Sequence, residues 1–238
     1  GADAVLTMLP NSPQVREVVL ENGVAQAMRP GSTLIDMSSI NPMESRLISA
    51  ELEKLGVAML DAPVSGGEPG AIAGTLSFMV GGKQEVFDRF RTLLLHMGGS
   101  AVLCGPIGAG NVTKLSNQII VAGTINAVSE ALMLGQMAGV SPEAVFQAIR
   151  GGLAGSRVLE NKAPMMIAQN FKPGFKIDLH IKDLQNVLDA AAELGLAVPV
   201  TELAMDALRE VRQEGGGGLD HSAMVKHYEK LSGQQLHA

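Results

Sequence analysis

Two short stretches of this sequence combine residue types that could do chemistry. DAPVSGG, Asp61 to Gly67, ends a short apolar run with a serine hydroxyl and two consecutive glycines. Consecutive glycines tolerate positive φ, and Asp and Ser commonly flank loops, so a plain turn accounts for them and is the better reading on local grounds. The sharper reading is a pocket for a small anion, because amides without side chains approach an oxygen closely. The second stretch is GPIGAGNVTKLSNQ, Gly105 to Gln118, whose glycines at 105, 108 and 110 lead into a helical segment. Lys114 follows one turn in, with Asn117 and Gln118 three and four residues later on the same face. An ammonium beside neutral amides can supply a proton while the carboxamides orient a substrate. An exposed lysine near a helix start is the competing reading, although lysine there opposes the helix dipole. Local grounds leave these two even.

The elements that must position these groups fall into two rhythms. Up to about Gly105, apolar runs at Ala4–Leu9, Thr33–Ser38, Val57–Ala62, Thr75–Gly82 and Ser100–Gly105 read as strands. Helical segments at Pro13–Met28, Pro42–Leu55 and Gln84–Met97 lie between them. Strands apolar throughout and separated by helices predict a sheet covered on both faces, at least partly parallel. After Gly108 the strands stop. Asn111 to Ala138 contains no proline and predicts one rod of roughly 40 Å, apolar enough to lie inside a bundle. Ser141-Pro142-Glu143 restarts a helix with a capping serine. Further helices are predicted over Ser156–Gln169, Asp178–Leu194, Pro199–Gln213 and His221–Leu231. The fold class expected is α/β plus all-α: a partial Rossmann-type domain over residues 1–107 and a helical-bundle domain over 108–238, with a long interdomain helix.

Composition narrows the function. The chain has 238 residues, 46% hydrophobic and 18% charged, as in a folded globular protein. A net charge of -6, with 18 scattered Lys and Arg, argues against nucleic-acid binding. No charged-then-apolar leader and no uninterrupted apolar run of bilayer length is found, so no membrane partner is expected. The single cysteine, Cys104, reads as a buried strand end and fits a reducing, cytoplasmic compartment. His180, His221, His227 and His237 show no ligand spacing with Cys or acids, so no metal site is expected. Gly215–Gly218 reads as a flexible loop rather than a phosphate cradle, since no strand precedes it.

DAPVSGG, GPIGAGNVTKLSNQ and FKPGFKIDLHIKDL (Phe171 to Leu184) occur in this order at domain-scale spacing. Together they resemble the β-hydroxyacid dehydrogenase family along the whole chain. Within it, GGLAGS (Gly151 to Ser156) and DLHIKDL most resemble the branch that reduces tartronate semialdehyde. The resemblance implies an NAD(H)-dependent oxidoreductase, with NADP(H) as the alternative, acting on a small carboxylate-bearing aldehyde or hydroxy acid. It implies that Ser65, Gly66 and Gly67 hold the substrate carboxylate and that Lys114 is the catalytic general acid. Relatives orient substrate with an amide one turn beyond that lysine; many have asparagine four residues on, where Gln118 stands here, with asparagine at 117. Both residues are therefore candidates. Met8, Leu9 and Ser39 match contacts to the dinucleotide, and Phe175, Lys182 and Asp183 match the segment that closes over the nicotinamide end. Without the resemblance, Lys182 lies off the apolar stripe of its helix, four residues after Asp178 and in range of an ordinary surface ion pair.

The family also opens with a strand, a GxGxxG turn and a helix that place a pyrophosphate at a helix N-terminus. These 238 residues contain no such segment, so the chain is expected to be a trimmed or fragmentary dinucleotide-binding domain that could be inactive alone. Relatives pair through the helical domain, which implies a homodimer or homotetramer. Close alternatives in the same reaction class are 3-hydroxyisobutyrate dehydrogenase and glyoxylate or succinic semialdehyde reductase. A non-catalytic dehydrogenase-like scaffold is the alternative of another class.

Overall fold

The computed structural model describes residues 1–237. Two compact units emerge, one of residues 1–117 with 189–195, the other of residues 118–188 with 196–238.

The first unit is built on a six-stranded sheet. Strands β1 (Ala4–Thr7), β2 (Thr33–Asp36) and β3 (Ala58–Asp61) run parallel, with Thr7, Asp36 and Asp61 in register at their carboxyl ends. β4 (Val64–Ser65) and β5 (Leu76–Gly81) follow, β5 lying antiparallel to both β3 and β4. β6 (Gly98–Gly105) pairs parallel with β5. Neighbouring residues point to opposite faces, as the period of a strand requires. Leu34 and Met59 join one core with Val15, Val19, Ile48 and Leu52. Ile35 and Leu60 join the other with Phe78, Phe87, Phe90 and Leu94. The sheet is covered on both faces, as its unbroken apolar strands imply.

Three local features depart from the sequence reading. The helix expected over Pro13–Met28 is broken: α1 (Ser12–Arg16) passes into a π-helical turn (Glu17–Glu21), and α2 (Val24–Ala27) restarts after Gly23 at φ 86. α3 (Pro42–Lys54) keeps its expected extent, with Asn41 capping the Met43 N–H. A short helix, α4 (Gly67–Ala73), follows the double glycine, where none was expected because glycine and proline weaken helices. α5 (Gln84–Leu95) then leads to β6. Cys104 is exposed rather than buried, because β6 pairs on one side only and Val102 and Cys104 face out together.

α6 (Ala109–Met137) runs unbroken for 29 residues, as the lack of proline predicts. Its residues Ala122, Ile125, Leu132 and Met133 are buried in the second unit. Its mean hydropathy reaches 1.3 over an 18-residue window, 44% of it buried, so by length and composition alone it could cross a membrane. An average of this kind needs no uninterrupted apolar run, which is why the sequence did not suggest it.

The remaining helices are α7 (Pro142–Ile149), α8 (Arg157–Ile167), α9 (Ile177–Leu194), α10 (Pro199–Gln213) and α11 (Val225–Ser232). Ser141 caps α7 and Ser156 caps α8 through their side-chain oxygens. Gly216–Gly218 and His221–Met224 are 3-10 turns. In the second unit, Leu159, Met166, Ile177, Leu184, Leu208 and Met224 are at most 1% exposed.

Candidate active site

The first unit builds its site where the three parallel strands end. Asp61 closes β3 and is fully buried. Its Oδ1 accepts the Gly108 N–H at 2.7 Å and its Oδ2 the Asn111 N–H at 2.8 Å. A helix start leaves its first N–H groups without partners, and a carboxylate satisfies them while complementing the dipole. Asp61 therefore pins the first turn of α6, three residues before Lys114. Close approach is possible because Gly81 and Gly110 lack side chains. A Cβ on Gly81 would sit 2.2 Å from Asp61 Oδ1, and one on Gly110 would sit 2.4 Å from the Asp61 and Met79 carbonyl oxygens. Burial pushes the Asp61 carboxyl up to about 6, against the opposing N–H groups of Asn111 and Gly108, with the nearby Asp36 charge adding to the rise.

Asn111 extends this frame. Its Oδ1 accepts the Ile40 N–H at 3.0 Å and its Nδ2 donates to Ser45 Oγ at 3.1 Å, which ties the loop after β2 to the same helix start. Asp36, at the end of β2, accepts from Thr7 Oγ1 at 2.8 Å and the Ser38 N–H at 3.2 Å. Burial is the main cause that raises its pKa, opposed by Ser38 and Thr7. Ser38 Oγ in turn accepts the Leu9 N–H at 2.8 Å. The sequence reading missed Asp36, Asp61 and Asn111 as framework residues. An acid ending an otherwise apolar strand, as in TLID and AMLD, was the available signal.

The expected site residues occupy the following positions. Ser65 is half-buried at the end of β4, opposite Ser77 of β5. Gly66 and Gly67 are exposed at φ 135 and 60, conformations that other residues rarely adopt. Lys114 is only 6% exposed, which overturns the surface-lysine alternative. Asn117 is half-buried and Gln118 buried. Met8 is exposed just past β1, Leu9 half-buried with its N–H engaged by Ser38, and Ser39 half-buried in the loop after β2. Met8 and Ser39 thus lie beyond the carboxyl ends of two adjacent parallel strands, where open α/β sheets bind dinucleotides. The residues present fit such a cofactor.

The second unit gathers another group. Gln118 Nε2 donates to Asp183 Oδ2 at 2.6 Å, with both residues buried. A carboxylate can only accept, so the Gln118 amide is fixed with its nitrogen toward Asp183. Lys182 Nζ lies 2.7 Å from Asp183 Oδ1, while Asp178 pairs with Arg212 at 2.9 Å. Lys182 thus pairs with its chain neighbour, and the arginine of α10 takes the aspartate that sequence spacing had offered it. Phe175 packs against the rings of His180 and His221.

Comparison with known proteins agrees with this architecture. Residues 1–108 match the NAD binding domain of 6-phosphogluconate dehydrogenase. Residues 108–228 match a family described as the NAD-binding domain of NADP-dependent 3-hydroxyisobutyrate dehydrogenase. The chain is 45% identical over 237 residues to 2-hydroxy-3-oxopropionate reductase of Escherichia coli, covering 99% of this chain and 81% of that protein. It is 35% identical over 242 residues to an NAD-dependent L-serine dehydrogenase of Pseudomonas aeruginosa, covering 98% and 81%. Among solved structures, the 3-hydroxyisobutyrate dehydrogenase of Mycobacterium tuberculosis with L-serine superposes at a TM-score of 0.89. That structure is 35% identical, over 95% of this chain and 79% of the other. With matched models over both halves and a relative at this identity, the chain belongs to the β-hydroxyacid dehydrogenase family and is an NAD(P)-dependent enzyme of that family.

Proposed function

We propose that this enzyme reduces tartronate semialdehyde (2-hydroxy-3-oxopropionate) to glycerate, with Lys114 as general acid. One observation carries the reading: Asp61 of DAPVSGG bonds the first turn of the helix that bears Lys114. The serine–glycine turn and the lysine are thereby parts of one framework. The 45% identity to the Escherichia coli reductase favours this substrate over the 3-hydroxyisobutyrate and L-serine named for relatives at about 35%. The dinucleotide-binding domain is assigned to residues 1–107, with Met8, Leu9 and Ser39 along the cofactor. The helical domain is assigned to residues 108–238, with Phe175, Lys182 and Asp183 at the nicotinamide end.

Bound nicotinamide supplies the hydride that the aldehyde carbon receives. The protein's part is to hold and protonate. The Ser65 hydroxyl and the Gly66 and Gly67 amides grip the substrate carboxylate, which fixes the aldehyde for attack. The Lys114 ammonium gives a proton to the carbonyl oxygen as it becomes an alcohol, and in the oxidative direction the amine takes it back. Gln118, one helical turn beyond Lys114 and oriented by Asp183, presents an amide to the substrate; Asn117 is less buried and serves as the second candidate.

The test is initial-rate measurement on the full-length enzyme with tartronate, methylmalonate and succinic semialdehydes and glyoxylate as substrates. A clear kcat/KM preference for the tartronate compound is expected, and no preference removes this substrate. We further assign the enzyme to the cytoplasm and to a homodimer or homotetramer joined through the helical domain. Ile120, Leu134 and Met137 of α6 are 67, 72 and 52% exposed, apolar surface that a second copy would cover. Sedimentation that shows only monomer at micromolar concentration contradicts the assembly.

A further inference from the structure

The second unit buries a titratable cluster that takes no part in the proton transfer above. His180 of α9 is 0% exposed and His221 5%, and their Nδ1 atoms lie 2.9 Å apart. Phe175 meets both rings edge-on, with centroids 5.7 Å from His180 and 5.3 Å from His221. Its backbone is held as well. The Phe175 N–H donates to Asp220 Oδ2 at 3.1 Å, and its carbonyl accepts the His221 N–H at 2.9 Å. Asp220 also accepts from the N–H groups of Gly174 and Ser222 and from the Lys162 ammonium at 2.9 Å. Burial alone would push the Asp220 carboxyl up. His221, Lys162 and the Ser222 N–H outweigh it and hold the group well below the usual carboxylate range.

The nitrogen–nitrogen contact restricts the chemistry of the pair. A neutral imidazole carries one N–H and leaves its other nitrogen as an acceptor. Two Nδ1 atoms at 2.9 Å therefore require one hydrogen between them. One ring is protonated at Nδ1, while the other keeps Nδ1 bare and carries its proton on Nε2. Two imidazolium ions would direct N–H against N–H, so full protonation breaks the contact. The charged groups around the pair are Asp220 beside His221, Lys162 on α8, and Lys176, which bridges to Asp220 through the backbone. On α9 itself lie Asp178, paired with Arg212 of α10, and the Lys182–Asp183 pair. Asp220 favours a single positive charge on the two rings and Lys162 opposes it.

We propose that His180 and His221 are positioning residues for the dehydrogenase reaction: sharing one hydrogen between their Nδ1 atoms, they clamp the Phe175 ring at the nicotinamide end of the site. The functional half of this inference rests on the role given to Phe175 above. Its sequence signal was slight, since the two histidines are 41 residues apart and neither lies in a ligand pattern.

Imidazole ¹H–¹⁵N correlation spectra of the unmodified protein test the shared hydrogen directly. One Nδ1–H ring and one Nε2–H ring are expected at neutral pH, with their signals shifting together on acidification. Both rings in the Nε2–H form, or two independent titrations near the ordinary value of about 6.5, overturn the proposal. Kinetics test the clamp. His221→Gln should raise KM by roughly 3–10-fold, the loss of one hydrogen bond, while kcat changes less. A rise in KM on acidification is expected of the unmodified enzyme, and the same variant should abolish it. An unchanged KM and an unchanged pH profile in His221→Gln overturn it. Phe175→Ala separates the two levels: an unchanged KM there, with opposite tautomers observed, removes the role of Phe175 and with it the clamp, while leaving the hydrogen-bonded pair established.

Discussion

Asp61 and Asn111, fifty residues apart, are joined by a 2.8 Å bond from the Asn111 N–H to the buried Asp61 carboxylate. This bond fixes where α6 begins and therefore where Lys114 stands. Burial of the same carboxylate makes stability depend on pH in a direction opposite to the common one. Burial holds the folded carboxyl up to about 6, whereas an unfolded aspartate titrates at ~3.9. Between these values the folded state keeps a proton that the unfolded state releases. Stability contributed at this site therefore falls as pH rises from about 4 to about 6, then levels off. A displacement of this size corresponds to on the order of 2–3 kcal/mol. Thermal unfolding of the protein and of Asp61→Asn at pH 4, 5, 6 and 7 should show their difference shrinking across that window. A difference that stays constant with pH would show that Asp61 ionises normally.

The glycines that admit Asp61 give a stability prediction. Gly110→Ala places a Cβ 2.4 Å from two backbone carbonyl oxygens, which cannot swing aside as a long side chain would. A loss of at least about 3 kcal/mol is expected, the range of severe steric conflicts. Gly99→Ala, whose nearest neighbours would be 3.9 Å away, should change stability by less than about 1 kcal/mol. Denaturant melts of the two variants check this, and equal stability would mean that the α6 start yields easily.

Asp183 is expected to act through Gln118. Asp183→Ala removes the acceptor 2.6 Å from Gln118 Nε2 and lets the amide turn. The loss of a charge-assisted bond predicts a roughly 10–100-fold fall in kcat/KM. Asp183→Asn, which can still accept through its amide oxygen, should fall less. If both variants lose equally, the negative charge matters rather than the aim of the amide; if neither loses, Gln118 has no orienting role.

What the sequence made legible was what repeats locally. Strands such as Thr33–Asp36 declared themselves by unbroken apolar runs, and α6 by 29 residues without proline. Ser141 signalled a helix start because capping is a contact over two or three residues. The break at Gly23 escaped notice because one glycine is tolerated inside many helices. Exposure of Cys104 depended on β6 pairing on one side only, a fact of sheet order rather than of local pattern. The motifs named Ser65, Gly66, Gly67 and Lys114, whereas the bonds that hold the framework join residues far apart. Asp61 to Gly108, Gln118 to Asp183 and His180 to His221 span 47, 65 and 41 positions. Periodicity carries no information about partners at that separation.

The proposed mechanism is most exposed at Lys114. If its ammonium gives the proton to the carbonyl oxygen, Lys114→Ala should lower kcat by at least ~10²-fold, the range of positioned general acids. Dinucleotide affinity should stay nearly unchanged. Lys114→Arg should not rescue turnover, because guanidinium keeps the charge but does not readily release a proton, and its planar fork reaches differently. Ser65→Ala should divide its loss between KM and kcat, since the carboxylate is held in the ground state as well as in the transition state. Burial sharpens the comparison. At 6% exposure, Lys114 is embedded in the fold, so its alanine variant has to be melted as well as assayed: a catalytic lysine predicts a folded variant that turns over far more slowly. A purely structural lysine would give the reverse, lower stability with near-normal kcat. Steady-state kinetics and thermal melts on these three variants of the full-length enzyme therefore separate the roles, and near-normal turnover in Lys114→Ala would remove the lysine from the chemistry.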